Sequence, residues 1–121
     1  MLGVIVFAHG SRDPQWRAPV EAVAAQVRIQ DPSVSVVCAY LEFSEPDLST
    51  AASWLVAEGV TTVRVFPLFL GMGKHAREDL PALLAQLSRT YPAVRFERLA
   101  AAGEDARLTA LLAQIALEPA P

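Results

Sequence analysis

The sequence predicts an α/β protein, a four-stranded parallel sheet with helices on both faces. Apolar, β-rich runs alternate along the chain with segments whose apolar residues recur at helical spacing. That alternation is the pattern of strand–helix–strand units, which build parallel sheets. The first three apolar runs are nearly continuous, as strands covered on both faces require.

Each element follows from its own pattern. GVIVFA (Gly3 to Ala8) is the first strand, VSVVCAYL (Val34 to Leu41) the second and TTVRVFPL (Thr61 to Leu68) the third. VRFERL (Val94 to Leu99) alternates apolar and charged residues, so it is predicted as an edge strand with one wet face. Val20, Val23 and Val27 mark the first helix, whose start is left open by Pro14 and Pro19, since proline fits only a first turn. Leu48, Ala51, Ala52, Leu55 and Val56 mark the second. Ser44 with Asp47 three residues on offers it an N-cap pair, and Gly59 stands where a C-cap glycine belongs. Leu80, Leu83, Leu84 and Leu87 form the stripe of the third helix, closed by Tyr91-Pro92. Leu108, Leu111, Leu112 and Ile115 form that of the fourth, ahead of an EPAP tail expected to fray. Right-handed crossovers leave few topologies, and a flavodoxin-like order 2-1-3-4 places strands 1 and 3 side by side in the centre.

Bulk properties exclude several classes. The 121 residues suit one domain over 1–121, and a hydrophobic fraction of 53% with 19% charged residues is that of a folded globular chain. The formal net charge of −3 speaks against nucleic-acid binding and against a polybasic membrane patch. The single cysteine, Cys38, excludes an intramolecular disulfide and any multi-cysteine metal cluster. It lies in an apolar run and reads as a small buried hydrophobe. No apolar stretch reaches membrane-spanning length, and the N-terminal run lacks a basic leader, so the protein is expected to be cytoplasmic.

In an open parallel α/β sheet, ligands bind beyond the carboxyl ends of the strands. Strand 1 is followed by His9-Gly10-Ser11-Arg12, strand 2 by Glu42, and strand 3 by Gly71-Met72-Gly73-Lys74-His75. The chain has two histidines, and both fall on this one edge together with a carboxylate. Two imidazoles and a carboxylate suit borderline divalent metals such as cobalt, nickel, iron or zinc. Neutral imidazole also accepts protons near pH 7. A site that holds a metal and takes up protons suits metal insertion, since two pyrrole N–H protons must leave as an ion enters a macrocycle. Gly71 and Gly73 free the loop around Met72, and Phe66, Leu68, Phe69, Leu70 and Met72 offer an apolar lip for a planar ring. Arg12, Arg17, Lys74 and Arg77 are cations for carboxylates on its rim. Each of these residues also has a plain structural reading. His9 can cap a turn, His75 can sit in an ordinary first helical turn, Phe69 and Leu70 can be core, and Glu45 rivals Glu42.

The stretches VFAHGSRDP, YLEFSEP and above all PLFLGMGKHAREDLP resemble the short CbiX-type sirohydrochlorin chelatases of the class II chelatase superfamily. The resemblance covers nearly the whole chain and implies a half-size chelatase fold. It implies that His9 and His75 bind metal and accept pyrrole protons, and that Glu42 assists. Beside these, ring contacts are expected from Ser11, Arg12, Phe69, Leu70, Gly71, Met72, Gly73 and Lys74. The substrates would be a sirohydrochlorin-like tetrapyrrole and a divalent ion, cobalt or iron or else nickel, with no tightly bound cofactor. The branch would be cobalamin or siroheme synthesis, and the assembly a homodimer. The rival is a non-catalytic carrier of metal or tetrapyrrole. A hydrolase elbow (G-x-S-x-G) and a P-loop are both absent.

Overall fold

The computed structural model describes residues 1–121. The strands are β1 (Leu2–Ala8), β2 (Ser35–Tyr40), β3 (Thr62–Pro67) and β4 (Arg95–Arg98). The helices are α1 (Ala18–Gln30), α2 (Leu48–Ala57), α3 (Lys74–Thr90) and α4 (Ala106–Ala116). The strands pair in parallel in the order β2-β1-β3-β4, as expected from the crossover rule.

β1 is central, and its side chains feed two cores in alternation. Ile5 and Phe7 join Ala39, Val63 and Val65 beneath α2 and α3, which contribute Leu48, Ala51, Leu55, Leu80, Leu84 and Leu87. Val6 and Ala8 join Val36 and Tyr40 beneath α1, which contributes Val20 and Ala24. The period of two along β1 and the helical period on α1, α2 and α3 thus meet as two apolar layers.

The structure sets three features of the helices that the sequence left open or gave otherwise. The prolines before α1 form a separate 3-10 turn, Pro14–Arg17, capped by the Asp13 carboxylate accepting from the Gln15 N–H at 3.0 Å, and Pro19 falls in the first turn of α1. The N-cap of α2 is Asp47, which accepts from the Thr50 N–H at 2.8 Å, and not Ser44. α3 runs through Pro81, which lies on its exposed side, where water can satisfy the carbonyl left without a donor.

α4 departs from the other helices. It forms over the predicted stripe, but none of its residues is buried; Leu111, Leu112 and Ile115 all stand exposed. Between α1 and α4, beside β3 and the segment after β4, lies an apolar cavity of about 1050 Å³ lined by Val23, Val27, Phe66, Leu68, Leu99 and Leu108, among others. No helix is long and apolar enough to cross a membrane.

Candidate active site at the carboxyl edge of the sheet

The loops after β1 and β2 are fastened to each other. The ladder continues one step past the strands, with the Leu41 N–H donating to the Ala8 carbonyl at 2.9 Å and the Glu42 N–H to the His9 carbonyl at 3.0 Å. The Ser44 hydroxyl donates to the Ser11 carbonyl at 2.8 Å and accepts from the Ser11 N–H at 3.2 Å. Ser44, expected as a helix cap, is instead the clip between these loops. Gly10 lies inside the clip at φ 97°, and a Cβ there would overlap the Glu42 carbonyl. Only glycine meets both conditions.

His9 stands exposed at the end of β1, its ring edge-on to that of Phe69 at 4.8 Å. Phe69 in turn meets Phe7 at 6.0 Å and is itself buried. It was expected on an open lip; it is a support for His9, because the loop after β3 is drawn inward at both ends. Leu68 N–H donates to the Phe7 carbonyl at 2.7 Å, and Gly103 N–H to the Phe69 carbonyl at 2.8 Å. Of the remaining lip, Leu70 is exposed, Met72 packs on the main core, and Phe66 and Leu68 line the cavity beside α1. Gly71 and Gly73 stand with nothing within 4 Å of where a Cβ would be, so they leave open space in front of the loop.

His75 is the second residue of α3, with a side chain 96% exposed and Nδ1 3.8 Å from the Asp79 carboxylate. The strand order brings its loop to the same edge as His9 and Glu42. His9 and Glu42 are joined through their backbones, but no three His, Cys, Asp or Glu side chains of the chain stand close enough together to hold an ion. Lys74 and Arg77 are exposed on the first turn of α3, while Arg17 lies over the Tyr40 ring at 5.8 Å and packs the 3-10 turn onto the end of β2. Cys38 is half-buried, and burial first, then Glu21, pushes its thiol above the ordinary range, as suits an unreactive packing residue.

Phe43 was not singled out from sequence. It has φ 64°, the residue is 57% exposed, and the Arg12 guanidinium lies 4.8 Å from its ring centre. The one sequence sign of it is a large apolar residue inside the otherwise polar run EFSEP.

The sequence pattern of the CbiX family matches residues 3–118. The chain belongs to the CbiX family. This CbiX chain is 40% identical over 84 residues to a sirohydrochlorin cobaltochelatase of Saccharolobus solfataricus, a stretch that makes up 69% of the chain and 64% of that relative. It is 30% identical over 112 residues to a sirohydrochlorin cobaltochelatase of Sulfolobus acidocaldarius, covering 93% and 87% of the two chains. Among solved structures, a putative cobalamin biosynthesis CbiX protein from Marinobacter aquaeolei VT8 superposes with a TM-score of 0.82 at 29% identity, over 96% of this chain and 94% of that one. The sirohydrochlorin chelatase SirB from Bacillus subtilis subspecies spizizenii, in complex with cobalt, superposes with a TM-score of 0.71 at 26% identity. There the match takes in 80% of the CbiX chain and 42% of SirB, so the chain spans less than half of that protein.

Proposed function

We propose that this CbiX chain inserts a divalent metal ion, cobalt or iron and in third place nickel, into sirohydrochlorin. The observation that carries this reading is the fastening of Glu42 to His9 at the carboxyl edge, with the His75 loop on the same edge, in a chain of the CbiX family. In this reading His9 and His75 hold the incoming ion and take up the two pyrrole protons that leave as it enters the ring. Glu42 assists as a carboxylate for ion or proton, and its bond to the His9 backbone supports it over Glu45. Exposed, unclustered donors suit a site that must release its ion to the macrocycle. Water around His9 and His75 then carries the protons away. Metal is substrate here, and no resident cofactor enters the reaction.

The protein is proposed to work in the cytoplasm as a homodimer. The support for the dimer is that a single chain carries both an unpacked apolar helix face on α4 and an unfilled apolar cavity beside it. A two-fold assembly can satisfy both at once by setting each α4 into the partner's cavity.

The test is an anaerobic optical assay of sirohydrochlorin with cobalt(II), iron(II) or nickel(II), read against the rate without protein. Acceleration is expected, and a loss of roughly a hundredfold or more in His9→Ala and in His75→Ala. Ring binding without acceleration would make the protein a carrier, and normal rates in both variants would remove the histidines from the mechanism.

A further inference from the structure

We infer that Phe43 and Arg12 form a docking element that receives the flat face and one rim carboxylate of the macrocycle. This rests on the proposed function and extends it to how the ring is recognised. Glu42, Phe43 and Ser44 make a three-residue turn, closed by the Ser44 N–H donating to the Glu42 carbonyl at 2.8 Å. Phe43 stands at its apex with φ 64° and is the one non-glycine residue of the chain with positive φ. A turn closed in this way with positive φ at its centre is the rare, strained form. Left-handed backbone is costly for a residue with a Cβ and concentrates at functional sites.

Phe43 is not part of either core, so no burial repays that strain; the residue is more than half exposed. Glycine would meet the turn freely, yet an aromatic ring is held there. The same Ser11–Ser44 clip that sets Phe43 also sets Arg12, since Arg12 follows Ser11 and Phe43 precedes Ser44. The Arg12 guanidinium lies over the ring and joins none of the salt bridges of the chain. Its N–H donors are therefore oriented by the ring and open to a carboxylate, the geometry that suits arginine. The strand order β2-β1-β3 places Phe43 on one side of His9 and the exposed Leu70 on the other. A flat ring lying across both meets apolar surface at two points, with His9 between them.

The decisive variant is Phe43→Gly, which removes the ring and suits the turn. Its melting temperature is expected to equal or exceed that of the unaltered protein. Its KM for sirohydrochlorin is expected to rise about tenfold with kcat changed far less, the scale of one lost aromatic contact. Phe43→Trp restores KM. Arg12→Gln raises KM and weakens its dependence on ionic strength. A lower melting temperature in Phe43→Gly would make Phe43 a structural plug and overturn the inference. An unchanged KM in Phe43→Gly, with the unaltered protein turning over, would overturn the docking role and leave metal insertion standing. If the unaltered protein binds the ring without inserting metal, insertion falls, and the dissociation constant of the ring judges the docking in place of KM. If it neither binds nor converts the ring, both fall.

Discussion

Gly10 shows how a single residue joins fold to site. Its positive φ and its contact with the Glu42 carbonyl let the β1 and β2 loops close on each other, which sets His9 beside Glu42. In Gly10→Ala the left-handed backbone alone costs roughly 1–2 kcal/mol, and the overlap must be relieved by opening the clip. The expected result is a melting temperature lower by about 5 °C or more, together with loss of metal insertion. Calorimetry and the optical assay on one preparation check this, and an unchanged melt would show that the clip is not needed. At this scale the sequence was legible where a residue's place follows from the strand before it. His9, Glu42 and His75 were assigned to the carboxyl edge of the sheet because each follows a strand. Phe43 and Ser44 were not, for a physical reason. A dihedral angle and a hydroxyl's choice of partner depend on which loop lies opposite. Ser44 has the spacing of a cap, but Asp47 reaches the Thr50 N–H, and the β1 loop takes the Ser44 hydroxyl.

Among the elements, α4 is the one held within its own chain by its cap more than by packing. Asp105 accepts from the Arg107 backbone N–H at 2.8 Å and from its guanidinium at 2.7 Å. These bonds, that of the side chain first, hold the Asp105 carboxyl down at about 2. A depressed carboxyl contributes its stabilisation in full above the unfolded range near 3.9 and loses it as pH falls through about 2. Amide exchange in α4 is therefore expected to quicken as pH drops across this window, after correction for intrinsic rates. Asp105→Asn keeps a capping oxygen and should hold α4 protected with that pH response gone. Identical profiles for the two proteins would show that the cap does not hold α4. The melt of the two cores should be the same in both, since α4 buries nothing in them. The four strands were legible to within a residue at each end, and the stripes read for α2 and α3 fall inside those helices, because these elements carry their burial pattern in their own residues. The prolines before α1 left its start open until the Asp13 cap separated the 3-10 turn from the helix.

In the whole molecule, one face of the sheet packs against two helices, α2 and α3, and the other against α1, with the cavity beside it left open. The proposed dimer predicts that the double variant Leu111→Asp, Ile115→Asp shifts the mass in solution from dimer to monomer. Its core should stay folded by near-ultraviolet dichroism, because neither side chain is buried in the chain. Sedimentation of the unaltered protein as a monomer at micromolar concentration would sink the proposal.

Periodic hydrophobicity was enough to define four strands, four helices and their order, and with them the edge at which both histidines and Glu42 lie. Those properties are local, since a strand or helix must place its apolar residues on one side whatever its neighbour. Three matters needed the packed chain. Phe69 turned inward while Leu70 stayed in solvent; the Ser44 clip lifted Phe43 beside Arg12; and the α4 stripe found no surface within its own chain. An apolar stripe states that a face is to be buried, but the surface that buries it belongs to another part of the chain, or to another chain.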